Sequence, residues 1–106
     1  MDTPVNAKAA LLQALRHGEG FGLELIDRVA ERTKGRIKLG QGSVYPALRD
    51  LEEEGLVKSW DGEPLSERGG RPRRYYELTA KGRHVAVEQR AAVAGLFGNL
   101  QPAGAR

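Results

Sequence analysis

Apolar residues recur along this chain in four blocks at helical spacing, with two short alternating runs between the third block and the fourth. In residues 5–17, Val5, Ala9, Leu12 and Leu15, or Leu11, Ala14 and Leu15, supply the inward side. This predicts a first helix with a wide apolar surface for its length. His17-Gly18-Glu19-Gly20 reads as a turn. From Phe21 to about Thr33 the spacing predicts a second helix with Phe21, Leu25, Ile26, Val29 and Ala30 inward. Glu24 and Arg28 form an outward i,i+4 pair on it, and Gly35 ends it. Ile37-Lys38-Leu39 alternates, which favours a short strand.

The third block has the most structure of its own. Val44, Ala47, Leu48 and Leu51 share one face of a helix that begins near residues 41–43. Gly40, Gly42 and Ser43 suit its start, with Ser43 the best side-chain cap. Pro46 confines that start, because its missing N–H costs little in the first turn or so and more deeper in. Gly55 provides the left-handed stop. The opposite face carries Gly42, Tyr45, Pro46, Arg49, Asp50 and Glu53. Its first turns are neutral or basic, whereas the C-terminal end carries Asp50, Glu52, Glu53 and Glu54. Acids at a helix C-terminus oppose the macrodipole, so helix stability does not account for them. They repel a polyanion, which must then approach at the N-terminal end. An ordinary core helix with a solvated face is the competing reading.

Beyond it, Leu56-Val57-Lys58-Ser59-Trp60 and Arg73-Arg74-Tyr75-Tyr76-Glu77-Leu78 read as paired strands joined by a Gly/Pro/Arg loop over residues 61–72. Thr79 caps a last helix running from about Ala80 to Leu100. Two neighbouring stripes lie on that helix: Val85, Ala92 and Leu96, and Ala86, Val93, Phe97 and Leu100. Together they exceed what packing on one small body needs. A partner helix is the preferred reading of the surplus, against a purely intramolecular role. The expected organisation is a winged-helix domain over residues 1–78, a dimerisation helix over 79–100 within the same compact unit, and a frayed tail over 101–106. The fold class is mainly α with a small antiparallel β-hairpin.

Composition narrows the function. The chain has 106 residues, 40% hydrophobic and 29% charged, enough for one modest core. Net charge is +3, and its distribution says more than the sum. Arg32, Lys34, Arg36 and Lys38 lie together without an acid among them, and so do Arg68, Arg71, Arg73 and Arg74. Such clusters are what a phosphate-binding surface requires. The absence of cysteine excludes disulfides and thiol chemistry. No secretory segment or membrane-length apolar run is present, so a cytoplasmic protein without a membrane partner is expected. His17 and His84 stand far apart and make a poor metal site. No nucleophile–base pair, carboxylate pair or phosphate loop stands out, so neither enzymatic activity nor a cofactor is expected.

Three helices, a short strand and two strands joined by a basic loop describe a winged helix. The basic runs fall just before its third helix and in its wing. Residues of about 9 to 85 resemble the PadR family of bacterial transcriptional regulators. The likeness rests on Tyr45-Pro46-Ala47-Leu48 with Leu51, Glu52, Gly55 and Leu56, and on Gly70-Arg71-Pro72-Arg73-Arg74-Tyr75-Tyr76. Leu78-Thr79 with Gly82, and Phe21-Gly22 with Leu25 and Ile26, extend it. Gly40-Gln41-Gly42 departs from the family's frequent serine-proline helix start. The resemblance implies a homodimer that binds double-stranded DNA at a near-palindromic operator and represses a gene. It also implies dimerisation through the last helix, here single as in the short branch of the family, and it permits a small-molecule inducer.

On this reading Lys34, Arg36 and Lys38 touch phosphates, and Gln41 and Ser43 meet phosphate or a base edge. Ser43 serves equally as a simple cap. Tyr45 donates to a phosphate or packs against the wing. Arg49 binds phosphate or guanine, or only pairs with Glu53. Arg71, Arg73 and Arg74 form the wing's contact, or a solvated loop. Gly70-Arg71-Pro72 partly resembles the AT-hook core, and alternation sends Arg73 and Arg74 to opposite faces. Tyr75, Tyr76 and Trp60 are expected to pack, with Trp60 also a candidate for lining a ligand pocket. Val85, Ala92, Val93, Leu96, Phe97 and Leu100 are the candidate dimer residues. A winged helix whose basic wing binds an acidic protein partner stands as the alternative function.

Overall fold

The computed structural model describes residues 6–63 and 72–98, the side chains of residues 95–98 excepted. Helix α1 (Ala7–Leu15) is followed by strand β1 (Gly20–Phe21), helix α2 (Gly22–Arg32), helix α3 (Gln41–Glu53), strands β2 (Val57–Asp61) and β3 (Arg74–Leu78), and helix α4 (Ala80–Gly98). The strands form one antiparallel sheet in the order β1-β3-β2. This is the winged-helix arrangement of helices and sheet.

Helix α1 is the hub. Asn6 caps it, the side-chain oxygen accepting from the Ala9 amide at 2.8 Å. It packs against α2, α3 and α4 at once. That position explains its wide apolar surface: Ala10, Leu11, Leu12, Ala14 and Leu15 are all buried. Both predicted stripes are therefore used, although Val5 lies outside the described residues. Leu25 and Val29 of α2, Val44, Ala47, Leu48 and Leu51 of α3, Leu56 just before the sheet, Val57, Tyr76 and Leu78 within it, and Ala86 of α4 complete the core. Among the described residues no charged or polar side chain is fully buried.

The third strand is not where alternation placed it. Ile37 and Leu39 do face inward, half-buried against the core, and Lys38 faces out. Yet residues 37–39 pair with no strand. The Thr33 hydroxyl organises this segment, donating to the Val29 carbonyl at 2.8 Å and accepting from the Ile37 amide at 3.0 Å. Gly20 and Phe21 pair with Tyr76 and Tyr75 instead. They occupy the edge of β3 opposite β2.

Arg28 likewise departs from its expected Glu24 pairing. Its guanidinium donates to the carbonyls of Ala14, Gly18 and Glu19, at 3.1, 2.7 and 3.0 Å. It thereby satisfies the Gly18 and Glu19 carbonyls of the following turn and adds a second donor to the Ala14 carbonyl, which already accepts from the His17 amide at 3.1 Å. Glu24 is left to cap α2, accepting from the Phe21 amide.

Helix α2 stops in two consecutive left-handed residues, Lys34 at φ 54° and Gly35 at φ 80°. The Gly35 amide donates back to the Ala30 carbonyl at 2.7 Å. Helix α3 stops as expected: Gly55 takes φ 78°, with the Leu56 amide donating to Leu51 and the Gly55 amide to Glu52. Thr79 caps α4, accepting from the Gly82 amide at 3.0 Å.

Candidate nucleic-acid interface

Helix α3 is fixed by its buried stripe and presents the rest outward. Val44, Leu48 and Leu51 are fully buried. Gln41, Gly42, Ser43, Tyr45, Pro46, Arg49, Asp50 and Glu53 are exposed. The cap is Gly40, not Ser43. Ser43 already lies in the first turn, its amide donating to the Gly40 carbonyl at 3.0 Å. Its hydroxyl is thus released from capping. No side chain takes the first amides of α3, and no acid sits in its first turn. The positive end of the helix dipole is left open to an external anion.

Two of the acids at the other end, Glu52 and Glu54, have local partners that sequence reasoning missed. Glu54 pairs with Lys8 of α1, and this hydrogen bond holds the lysine above its ordinary value. Lys81 of α4 donates to the Glu54 carbonyl at 3.1 Å. The Glu52 carboxylate accepts from Ser59 at 2.7 Å. These contacts fasten the C-terminus of α3 to α1, α4 and β2. Among the described residues Arg49 forms no ion pair with Glu53, so its guanidinium stands exposed without that partner.

Tyr45 is 41% exposed, and its ring lies against Gly22 at the start of α2. Gly22 makes the contact: any Cβ there overlaps the phenol ring. Lys34, Arg36 and Lys38 are all exposed on the segment between α2 and α3.

The wing root separates its two described arginines. Arg74 donates to the Asp61 carboxylate at 2.9 Å, which raises its already high pKa. Arg73 instead lies over the Phe21 ring, its guanidinium carbon 4.4 Å from the centroid. Phe21 meets Tyr75 edge-on at 5.6 Å, and Tyr75 stacks on Trp60 at 6.0 Å. Trp60 is thus half-buried in a row of rings across the sheet. Arg68 and Arg71 lie outside the described residues.

Helix α4 joins the core through Ala86, which is fully buried, and Val85, which packs beside it. Gln13 of α1 donates to the Ala86 carbonyl and to the Gln89 side chain, at 2.8 and 2.9 Å. Further along, Ala92 and Val93 are exposed, and so is Val87, which periodicity did not single out. The side chains of Leu96, Phe97 and Leu100 lie outside the described residues. A groove of about 510 Å³ runs between Asn6, Ala9 and Gln13 of α1 and Gln89, Arg90, Val93 and Ala94 of α4.

A second cavity, of about 270 Å³, has a floor of Ala10, Ala14, Val29 and Ile37 and a rim that includes Arg16, His17, Arg32 and Arg90. Burial, then the charges of Arg32, Arg16 and Arg28, push His17 below its ordinary value. Trp60 lines neither of these cavities.

The model of the PadR-like family of transcriptional regulators matches residues 11–88, nearly the whole described body. The chain belongs to this family. Several solved structures similar to it are also described as PadR regulators. A transcriptional regulator from Clostridium thermocellum is 22% identical, with 88% of this chain and 87% of that one covered and a TM-score of 0.73. A PadR family regulator from Eggerthella lenta is 26% identical, covering 85% and 76%, at 0.69. Bacillus subtilis PadR, solved in complex with operator DNA, is 23% identical over 76% of this chain and 44% of that one, at 0.67. No protein of curated function matches the sequence significantly. This PadR-like chain is therefore a transcriptional regulator of winged-helix fold. Among the described residues no helix is long and apolar enough to cross a membrane.

Proposed function

We propose that the protein is a cytoplasmic repressor that binds a near-palindromic operator as a homodimer. The carrying observation is the polarity of α3. Its first two turns expose Gln41, Ser43 and Tyr45 with no acid among them, Arg49 follows in the third turn, and Asp50, Glu52, Glu53 and Glu54 occupy the far end. Helix α3 enters the major groove by its N-terminal end, where Gln41, Ser43 and Arg49 reach base edges or phosphates. Tyr45 donates to a phosphate beside the start of α2. Lys34, Arg36 and Lys38 contact the backbone on one side, and Arg71 and Arg73 extend the contact on the other. Arg74 contributes less, because Asp61 already engages it. That the related Bacillus subtilis PadR was solved with operator DNA supports the reading.

Residues 1–78 act as the reading head and 79–100 as the dimerisation helix. The groove between α1 and α4 continues onto the exposed side of α4 and receives the partner helix, with Ala92, Val93, Leu96, Phe97 and Leu100 in the seam. Val85 has a smaller share, since it packs against its own core. If an inducer acts, its place is the cavity rimmed by Arg16, Arg32 and Arg90 rather than Trp60, because that cavity touches α1, α2, α4 and the lead-in to α3. The protein works by binding, without catalysis or cofactor.

The test is a competition between a duplex from upstream of the protein's own gene and random duplex, at several salt concentrations. Preference for the upstream duplex, with affinity falling steeply as salt rises, is expected. Salt-sensitive binding without preference contradicts a specific regulator. No binding even at low salt favours a wing that docks on an acidic protein.

A further inference from the structure

We infer that Phe21 is the positioning residue that sets the wing arginine Arg73 relative to the recognition helix α3. The inference rests on the DNA-contact reading above. Three contacts carry it. The Arg73 guanidinium lies 4.4 Å from the Phe21 ring centroid. Phe21 is held in place by its pairing with Tyr75 in the sheet and by the edge-on contact of their rings at 5.6 Å. The next residue, Gly22, is buried and lies directly under the Tyr45 ring of α3. Two adjacent residues therefore touch the wing with one side chain and the recognition helix with the other position.

The row continues outward. Tyr75 stacks on Trp60 with their planes 17° apart, so Phe21, Tyr75 and Trp60 cross all three strands. The Glu24 carboxylate accepts from the Phe21 amide and fastens the dipeptide at the start of α2. Little slack is left between α3 and the root of the wing.

The chemistry of the two wing arginines gives this contact its meaning. Arg74 is held by the Asp61 carboxylate, which offsets its charge and takes one of its donors. A ring holds Arg73 differently. Stacking restrains the guanidinium plane while its charge remains and its edge N–H groups stay available to a phosphate. Arg73 is exposed, so a phosphate can reach it. Phe21 acts through Arg73 and contributes no donor of its own.

A double-mutant cycle in binding to the upstream duplex decides the matter, with wild type, Phe21→Leu, Arg73→Ala and the double variant. Each single variant is expected to weaken binding by about three- to tenfold, and the double variant to be no weaker than Arg73→Ala. Arg73→Ala lowers the salt-dependence slope by about one unit. Phe21→Tyr keeps the ring and restores wild-type affinity. Thermal melting of each variant shows that it is folded at the assay temperature. Phe21→Met, longer and more adaptable in packing, replaces Phe21→Leu if the latter melts too low. Additive losses in the double variant, wild-type affinity in Phe21→Leu, or wild-type affinity in Arg73→Ala overturns the inference. Wild-type protein that shows no preference for the upstream duplex overturns the DNA reading itself, and is seen before any variant is made.

Discussion

Lys34 shows how much one residue can hide. Its left-handed backbone, φ 54°, is costly for a side chain with a Cβ and free for glycine. Lys34→Gly is expected to raise stability by about 1 kcal/mol in urea unfolding. The same variant is expected to weaken DNA binding and flatten its salt slope by about one unit, since the cation is lost. An unchanged unfolding midpoint would show that the backbone carries no strain at this position. A lysine retained in such a conformation fits a surface that needs its charge. The sequence made Gly35 legible as a stop, but a lysine gives no signal for the left-handed residue before it. Ser43 differs in a related way. Its hydroxyl suits a cap, yet Gly40, the other candidate at the start, caps a helix that begins at Gln41, within the expected 41–43.

At the scale of elements, the third and fourth helices show what packing adds to pattern. Gly82, in the first turn of α4, lies so close to Leu56 that an added Cβ strikes its carbonyl oxygen. That oxygen is backbone and also accepts from the Thr79 amide at 3.0 Å, so it has little freedom to move. Gly82→Ala is therefore expected to cost about 2 kcal/mol or more in urea unfolding, although alanine is the better helix former. A gain in stability would contradict the close approach. The helices, the two longer strands and the stop at Gly55 were legible because periodicity and left-handed glycines are local signals. Strand β1 was not. Two residues show no alternation, and Gly20 and Phe21 become a strand only because the edge of β3 is there to pair with. Ile37 and Leu39 did alternate, but burial alone drives that pattern when no neighbouring strand is present.

On the scale of the whole molecule, the exposed apolar residues of the last helix stand apart from the recognition helix in the chain. Lys34, Arg36 and Lys38 are exposed just before α3 and Arg73 at the wing root, while α4 carries exposed Val87 and Val93. Val93→Glu places a charge in the proposed seam and is expected to shift sedimentation from the dimer mass toward the monomer, with loss of tight operator binding. A dimer of unchanged stability would remove α4 from the interface. The outward placement of Tyr45 and Arg49 was legible in the sequence, and Lys34, Arg36 and Lys38 are exposed as well. What stayed hidden was pairwise: Asp61 on Arg74, Phe21 under Arg73, and Gly22 under Tyr45 join residues from separate elements. No spacing rule reaches across the fold in that way.

Footprinting on the DNA upstream of the gene asks whether α3 reads DNA as one half of a two-fold dimer. Two protected half-sites related by a dyad are expected, their centres about 34–36 Å apart or a multiple of that. Their protection is lost together in Arg49→Ala and in Val93→Glu. A single unpaired protected site, or protection spread evenly over the fragment, would contradict it.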